Sequence, residues 1–230
     1  IIVPVYNEEK TILSILEKLR KVNLKIEKEI IVVDDGSRDN SKRIIEKYIK
    51  KNKGNGRLKF KLIGKKNGGK GSAIKLGIKS AVGDIITIQD ADLEYNPEDY
   101  NKLITPIIEK KEKVVYGSRF ITHHQPLYKI YFLGNKFLTF LTKILYKTKI
   151  TDMETCYKVF KSEVIKKIDI RANHFDFEPE ITARILNKGI NIKEMPISYN
   201  PRTIEEGKKI NWKDGLQAIW VLFYWKFKRE

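Results

Sequence analysis

Residues 85–92, with the sequence Ile-Ile-Thr-Ile-Gln-Asp-Ala-Asp, place two carboxylates directly after an apolar run. The β-branched residues of this run predict a buried strand. Ligands of open α/β sheets bind beyond the carboxyl ends of the strands, which is where Asp90 and Asp92 fall. One of these carboxylates can reach a divalent cation while the other reaches a hydroxyl of a neighbouring ligand. Hard oxygen ligands suit Mg²⁺ or Mn²⁺ bound to phosphates, and Glu94 is a further candidate ligand.

Strands and helical patterns alternate along the chain around this segment. Short runs rich in apolar residues predict further strands at residues 1–3, 30–33, 60–63 and 114–116. Between them, apolar residues recur at helical spacing. The two clearest stripes are Ile12, Ile15, Leu16 and Leu19, and Ile44, Ile45, Tyr48 and Ile49. This alternation predicts an α/β fold with an open, mostly parallel sheet and helices on both faces.

Other predicted strands also end in polar residues that suit ligand binding. The first strand leads into residues 4–8 and the second into residues 34–37. A carboxylate after the second strand, such as Asp35, suits hydrogen bonds to the ribose or base of a nucleotide. The alternative is a turn with a helix cap, for which Ser37 and Asp39 are typical residues. Both interpretations hold if Asp35 faces the ligand.

The third predicted strand leads into a glycine-rich turn at residues 64–72. This turn matches the phosphate-binding P-loop pattern up to Lys70, but Gly71 stands where Ser or Thr would hold Mg²⁺, so a P-loop is excluded. We predict a helix that begins near Ala73. A helix N-terminus beside Lys70 attracts anions. A tight turn with a solvated Lys70 explains the same residues.

The chain is strongly basic, with 46 Lys and Arg against 29 Asp and Glu in 230 residues and a formal net charge of +17. Such a charge favours polyanionic partners, namely nucleic acid, an anionic membrane surface or phosphate-bearing substrates. Residues 114–150 contain six Lys or Arg residues and no Asp or Glu, so the charge of this stretch is entirely positive. The net charge therefore favours polyanionic partners but does not decide among these three classes.

Two segments of the second half are both apolar and basic. In a helix, Lys136, Lys143 and Lys147 would line one edge. The adjoining broad face would consist of Phe137, Leu138, Phe140, Leu141, Ile144 and Leu145. Such a helix is typical of a membrane interface, and residues 216–229, apolar and then basic, repeat the pattern. A cationic surface helix whose apolar face packs on the domain is the alternative.

The cysteine and histidine content excludes several classes of site. Cys156 is the only cysteine, so a disulfide framework and a Cys-rich zinc site are excluded and a reducing compartment is indicated. His123 and His124 are adjacent and point apart in any regular element, which argues against a zinc or Ser-His-Asp site. No stretch reaches the roughly 18 uncharged apolar residues of a membrane-spanning helix.

Six short motifs follow one another in a specific order. They are Val-Pro-Val-Tyr-Asn-Glu at 3–8, Val-Val-Asp-Asp-Gly-Ser at 32–37, Asn-Gly-Gly-Lys-Gly-Ser-Ala at 67–73, Gln-Asp-Ala-Asp-Leu-Glu at 89–94, Tyr-Gly-Ser-Arg-Phe at 116–120 and Asp-Met-Glu-Thr-Cys-Tyr at 152–157. In this order they resemble the inverting family 2 glycosyltransferases of GT-A fold. The chain is most similar to those that transfer mannose or glucose to dolichyl or polyprenyl phosphate.

The resemblance implies a nucleotide-sugar site at the strand ends, with Asp90 contacting the ribose or the sugar. It also implies that Mg²⁺ or Mn²⁺ is held by Asp92 and Glu94, next to Asp90. Residues 202–209 resemble a mobile basic segment that closes on the donor diphosphate. The residues assigned to the nucleotide sugar are Pro4, Tyr6, Glu8, Asp35, Lys70, Asp90, Ala91, Arg202 and Lys208.

The resemblance further implies an acceptor site after the fifth strand. Arg119 resembles the residue that receives the acceptor phosphate. Lys129 lies where relatives place other polar acceptor contacts. Asp152 matches a family motif near the reaction centre, although Cys156 stands where Gly is common. Asp92, Arg119 and Asp152 are therefore the candidate catalytic residues, with the role of Asp152 left open.

The implied reaction is an in-line attack by a lipid phosphate on the anomeric carbon, with a nucleoside diphosphate leaving. A phosphate monoester has a second pKa of about 6, so no general base is required. One alternative is a family 2 enzyme with a sugar hydroxyl as acceptor, which needs a carboxylate base, with Asp152 as the candidate. A remote alternative is a basic nucleic-acid-binding protein, against which the acidic strand ends argue.

We expect a single GT-A domain with a Rossmann-like nucleotide-sugar half at 1–122 and an acceptor half with interface helices at 123–230. The expected partners are a nucleotide sugar such as GDP-mannose or UDP-glucose, a polyprenyl or dolichyl phosphate and an anionic membrane surface. A membrane-anchoring subunit is a further candidate partner, and nucleic acid is not expected. The expected location is cytoplasmic, peripheral to the cytoplasmic face of the membrane.

Overall fold

Strands and helices alternate within residues 1–52, 54, 56–121, 128–203 and 212–228, which the computed structural model describes. The strands are β1 (Ile2–Val5), β2 (Lys28–Asp34), β3 (Leu58–Gly64), β4 (Ile85–Thr87), β5 (Val114–Ser118), β6 (Lys158–Lys161) and β7 (Lys193–Pro196). The helices are α1 (Ile12–Lys21), α2 (Ser41–Lys51), α3 (Lys70–Ser80), α4 (Tyr100–Ile108), α5 (Lys129–Tyr146), α6 (Ser162–Ile165), α7 (Phe177–Asn187) and α8 (Trp212–Phe227).

The strands form two sheets that meet edge to edge. The first sheet is parallel with the order β1-β2-β3, and the second has the order β4-β6-β5-β7. A parallel bridge pairs Ile2 with Ile88, and the Gln89 amide donates to the Ile2 carbonyl at 2.8 Å. The combined order is therefore β3-β2-β1-β4-β6-β5-β7. This order brings the carboxyl ends of β1, β2 and β4 to one edge of the sheet, as predicted.

The strand β6 is the antiparallel member, since it pairs antiparallel with both β4 and β5. The sequence analysis did not predict β6 or β7. Their sequences are Lys-Val-Phe-Lys and Lys-Glu-Met-Pro, in which the charged residues obscure the strand pattern. Lys158 is nevertheless fully buried, because its ammonium donates to the carbonyls of Met153 and Thr155. The predicted fold class, an open and mostly parallel sheet, is confirmed.

Helices cover both faces of the central strands. Residues 30–33 of β2 are fully buried in succession, which requires cover on each face because alternate side chains point to opposite sides. The helix α3 contacts β1 and β2. The predicted stripe of α1 is buried at all four positions, which are Ile12, Ile15, Leu16 and Leu19. The α1 pattern therefore identified core residues correctly. In the predicted stripe of α2, Ile45 and Tyr48 are buried, whereas Ile44 and Ile49 are partly buried.

The helices α5 and α8 pack on each other and keep apolar outer faces. The Tyr146 hydroxyl of α5 donates to the Leu222 carbonyl of α8 at 2.6 Å. Large apolar residues stay 41–75% exposed along both helices. They are Ile130, Leu133, Phe137, Phe140 and Ile144 of α5, and Trp212, Leu216, Trp220, Phe223 and Phe227 of α8. We call these ten residues the apolar stripes.

The predicted apolar face of α5 is thus divided between the core and the surface. Leu138 is buried, whereas its neighbours Phe137 and Phe140 are exposed. None of the helices in the described ranges is long and apolar enough to cross a bilayer. His123, His124 and the proposed boundary between residues 122 and 123 lie outside the described residues, and the division into two halves stays a prediction.

Gly77 marks the place where α3 crosses β1. A Cβ atom there would lie 2.4 Å from Cγ2 of Ile2, whose side chain is fully buried. We expect Gly77→Ala to lower the free energy of unfolding by about 1–3 kcal/mol, because overpacking forces a tight core apart. Urea denaturation measures this change.

Gly83→Ala is the matched control for this substitution. The Cβ atom added at Gly83 meets nothing closer than 3.6 Å, so this variant should unfold close to the parent. If Gly77→Ala is as stable as Gly83→Ala, the close contact between α3 and β1 is wrong.

Candidate active site

A cavity of about 850 Å³ lies at the carboxyl edge of the sheet, a size typical of small-molecule sites. Its walls come from the ends of β1, β2, β4 and β5, from α3 and α7, and from α5 and α8. Most of the predicted site residues line it. They are Pro4, Tyr6, Glu8, Asp35, Lys70, Asp90, Ala91, Asp92, Glu94, Arg119 and Arg202.

Two predicted residues do not line this cavity among the described residues. Asp152 lies behind Arg119, and Lys129 is exposed at the start of α5. Lys208 and the rest of the predicted basic segment from 204 to 209 lie outside the described residues. The roles of these three residues stay predictions.

The glycine-rich turn binds an anion of the protein itself, the Asp35 carboxylate. The amides of Gly68 and Gly69 donate to it at 3.0 and 2.7 Å, and the Lys65 ammonium lies 2.5 Å away. Gly69 is required here, because its φ is 93° and a Cβ atom would lie 2.3 Å from Nδ1 of His174. The turn therefore positions Asp35 at the cavity wall.

Lys70 joins the carboxylates of two separate elements. Its ammonium lies 3.0 Å from Asp90, after β4, and 3.0 Å from Glu178, at the start of α7. Burial opposes the positive charge, but Asp90 and Glu178 outweigh it and raise the pKa of Lys70 well above its ordinary value. The alternative of a solvated Lys70 is therefore wrong. The helix α3 begins at Lys70, three residues before the predicted start.

Asp92 and Glu94 face the segment that follows β7. Leu93 between them has a left-handed φ of 66°, which turns the chain sharply after the strand. Arg202 places Nη2 3.3 Å from Asp92, and its backbone amide donates to Glu94 at 2.9 Å. The Tyr199 hydroxyl donates to the other oxygen of Glu94 at 3.0 Å. In this conformation the two carboxylates contact protein groups.

A divalent cation nevertheless fits the chemistry of this corner. Burial, followed by the charges of Asp90 and Glu94, raises the pKa of Asp92 to about 7. A bound cation relieves such repulsion, and carboxylate oxygens are the donors that Mg²⁺ and Mn²⁺ prefer. No group of three metal-binding side chains converges among the described residues. The Arg202 guanidinium, which also lies 3.4 Å from Glu8, supplies the positive charge instead.

Arg119 is held rigidly at the wall nearest α5. Its Nε and Nη2 donate to the two oxygens of Asp152 at 2.7 Å each, and its backbone amide donates at 2.9 Å. The Glu194 carboxylate accepts a hydrogen bond from the Asp152 backbone amide at 3.0 Å and so holds the backbone that carries the Asp152 side chain. Arg119 Nη1 has no hydrogen bond to any described residue. Arg119 lines the cavity, so the arrangement places a buried cation in the cavity wall.

Two cavity carboxylates escaped the sequence analysis. Glu178 lies in the first turn of α7, where an acidic residue is ordinarily explained by the helix dipole. Glu154 lies within the motif at 152–157, but nothing in its spacing distinguishes it from a surface residue. Both line the cavity. They are recognised as site residues only in the folded chain, where segments distant in sequence come together.

The family model for glycosyl transferase family 2 matches residues 1–169. The chain belongs to glycosyl transferase family 2. It is therefore a glycosyltransferase, as predicted from the six motifs. The cavity at the carboxyl edge of the sheet is the candidate active site of this glycosyltransferase.

Relatives of this glycosyltransferase include enzymes named for dolichyl phosphate. A UDP-N-acetylglucosamine–dolichyl-phosphate N-acetylglucosaminyltransferase of Methanococcus voltae is 32% identical over 229 residues, covering 91% of this chain and 89% of that protein. A dolichyl-phosphate beta-glucosyltransferase of Dictyostelium discoideum is 30% identical over 229 residues, covering 92% of this chain and 68% of that protein. The predicted similarity to dolichyl-phosphate transferases is confirmed.

A solved structure confirms the GT-A fold of the glycosyltransferase. Glucosyl-3-phosphoglycerate synthase of Mycobacterium tuberculosis, in complex with Mn²⁺, UDP and glucosyl-3-phosphoglycerate, superposes with a TM-score of 0.73. The match covers 100% of this chain and 80% of that chain at 16% identity. At this identity the likeness concerns the fold alone.

Arg202 offers a direct test of the cation corner. Arg202→Met keeps most of the side-chain length but removes the guanidinium that competes for Asp92 and Glu8. We expect the variant to bind Mn²⁺ several-fold more tightly than the parent, because the carboxylates lose their internal counter-charge. Isothermal titration calorimetry without nucleotide measures this affinity.

Arg43→Met, which removes an exposed charge of α2, is the control. It should leave the Mn²⁺ affinity at the parent value. Equal affinities for Arg202→Met and Arg43→Met would contradict the assignment of Arg202 as a stand-in for the cation.

Proposed function

We propose that this glycosyltransferase moves a hexose from a nucleoside diphosphate sugar to a dolichyl or polyprenyl phosphate at a membrane surface, with inversion at the anomeric carbon. The observation that carries the proposal is the continuity of one cavity. It runs from the carboxylates of the strand ends, past Arg119, to α5 and α8 with their apolar stripes. The dolichyl-phosphate relatives support the same acceptor class.

The donor half of the cavity is assigned to the strand ends. Asp35 and Glu8, with Pro4 and Tyr6, would contact the nucleoside. The hard oxygens of Asp92, Asp90 and Glu94 would hold Mg²⁺ or Mn²⁺, which when bound supplies positive charge near the leaving diphosphate. Glucosyl-3-phosphoglycerate synthase, which has a similar fold, has been crystallised with UDP and Mn²⁺ and with UDP and Mg²⁺. These complexes support the choice of Mg²⁺ or Mn²⁺. Arg202, beside Asp92, and Lys208 would add charge to the same diphosphate.

The acceptor half is assigned to Arg119, whose Nη1 would bind the lipid phosphate. A phosphate oxygen forms the new bond to the anomeric carbon, and the bond from that carbon to the diphosphate breaks with its electron pair. The attacking phosphate is already mostly ionised near neutral pH, so no proton has to be removed. Asp152 then acts as a positioning residue that orients Arg119. Lys129 stays a predicted contact of the acceptor phosphate.

A sugar hydroxyl is the alternative acceptor, and it would require a general base. Asp152 was the candidate, but both of its oxygens accept hydrogen bonds from the Arg119 side chain. A carboxylate so engaged is poorly placed to take a proton. This geometry favours the phosphate acceptor.

The apolar stripes would lie in the membrane interface. Their ten side chains are exposed on neighbouring helices, and Lys136 and Lys143 lie on α5 beside them. Apolar side chains enter the headgroup region while Lys residues attract anionic lipids, so two such helices bind better than one. A peripheral position on the cytoplasmic face and a membrane-anchoring subunit stay predictions.

Transfer of a labelled sugar to a short polyprenyl phosphate tests the proposed reaction. A panel of GDP- and UDP-sugars is supplied with Mn²⁺ or Mg²⁺, and the lipid product is counted. We expect product from at least one donor, dependent on the metal ion. Asp92→Asn should lower the rate by at least about 100-fold, because a cation in such a site contributes several kcal/mol.

Asp169→Asn is the matched control, since the Asp169 side chain is 85% exposed and has no role in the proposed reaction. It should transfer at the parent rate. Donor hydrolysis or transfer to a sugar hydroxyl, without lipid product from any donor, would contradict the phosphate acceptor.

Membrane docking is tested by replacing Lys136, Lys143 and Lys147 together with Glu. The parent should cosediment with vesicles of phosphatidylcholine and phosphatidylglycerol. We expect the triple variant to bind at least about tenfold more weakly, because each basic residue near an anionic surface contributes about 1 kcal/mol.

A second triple variant controls for the change in net charge. It replaces three exposed Lys residues of α1 and α2, namely Lys18, Lys47 and Lys50, with Glu. This variant should bind the vesicles nearly as well as the parent. If both triple variants lose binding equally, α5 is not the docking surface.

A further inference from the structure

Glu154 differs from the other carboxylates of the cavity. Its Oε1 is buried and has no hydrogen-bond partner among the described residues. By contrast, Asp35 is paired with Lys65, and both Asp90 and Glu178 are paired with Lys70. A buried acceptor without a partner is costly, and in a cavity such an atom points to a donor from a ligand.

The cation that acts most strongly on the Glu154 charge, Lys158, directs its hydrogen bonds elsewhere. Lys158 donates to the carbonyls of Met153 and Thr155, and its ammonium lies 4.7 Å from the centre of the Tyr116 ring. Burial, and then the charge of Glu178, raises the pKa of Glu154 to about 7. The carboxyl group is therefore partly buried at the cavity wall, acted on by a second carboxylate, and able to accept from a neutral hydrogen-bond donor.

The surroundings of Glu154 lie between the two halves of the proposed reaction. Glu178 is on one side, tied through Lys70 to Asp90 of the donor half. Arg119 of the acceptor half also acts on the Glu154 charge. In a nucleoside diphosphate sugar, the hexose is the part that must lie between the leaving diphosphate and the incoming phosphate. Its hydroxyls are neutral donors of the kind that Glu154 lacks.

We propose that Glu154 accepts a hydrogen bond from a hydroxyl of the transferred hexose and is a specificity-determining residue for the sugar. This inference rests on the proposed function. A site built around a substrate hydroxyl discriminates strongly against an analogue that lacks it, because a buried polar group is then left unpaired. Glu154 thus selects donors by the position of one hydroxyl, apart from the recognition of the nucleotide.

Calorimetric binding of three ligands tests the proposal without any transfer reaction. The ligands are the nucleoside diphosphate alone, the nucleoside diphosphate hexose that the transfer assay selects, and its monodeoxy analogues, each with Mn²⁺. The proteins are the parent and Glu154→Met, which matches the side chain in length and removes the acceptor. We expect one deoxy analogue to bind the parent about 10- to 100-fold more weakly than the full sugar. In Glu154→Met, that analogue and the full sugar should bind equally.

The nucleoside diphosphate alone provides the internal control, because Glu154→Met should bind it as the parent does. This result also establishes that the variant is folded. Glu154→Gln keeps an acceptor oxygen and should retain part of the preference for the full sugar. The comparison is a double-mutant cycle between a side chain and a hydroxyl, so a purely structural role would give no coupling.

The outcomes separate this inference from the proposed function. If the hexose donor binds but every deoxy analogue loses the same factor in the parent and in Glu154→Met, the sugar role of Glu154 is overturned while the transferase stands. Unchanged donor binding with loss of transfer in Glu154→Gln would also overturn it and would identify a general base. If no nucleoside diphosphate sugar binds the parent, the proposed function fails and the inference fails with it.

Discussion

Carboxylates buried at the edge of a sheet require positive charge or hydrogen-bond donors, and this requirement governs the structure around the cavity. Asp35 is matched by Lys65 and the amides of the glycine turn. Asp152 is matched by Arg119. Each partner comes from an element other than that of its carboxylate. Charge compensation therefore ties together segments that the sheet alone brings only into the same neighbourhood.

The same requirement distinguishes two arginines of the cavity, Arg202 and Arg119. Arg202 lies at long distances of 3.3 and 3.4 Å from two carboxylates, so its hold on each is weaker than that of Arg119 on Asp152 at 2.7 Å. In the proposed reaction the loosely held Arg202 guanidinium would give way to a divalent ion and a diphosphate, whereas the tightly held Arg119 would stay as part of the wall. The two arginines are chemically identical, and their surroundings give them different roles.

The helices α5 and α8 connect the candidate active site with the proposed membrane-docking surface. A polyprenyl phosphate keeps its chain in the bilayer and exposes only its phosphate, so an enzyme with the proposed acceptor would have to bring a charged site to the surface of the membrane. Residues of both helices line the cavity, and two of them, Ile130 and Trp212, also belong to the apolar stripes. One pair of helices thus serves as a wall of the site and as the proposed docking surface.

Periodicity and strand-end residues are local properties, so they were enough to predict the α/β class, the first five strands and the cluster of acids after β1, β2 and β4. It did not reveal β6, whose lysines mask the pattern, nor the buried state of Lys158. It also missed Glu154 and Glu178. Those residues become part of the site only when distant segments meet in the folded chain, and such encounters depend on tertiary packing rather than on any local pattern.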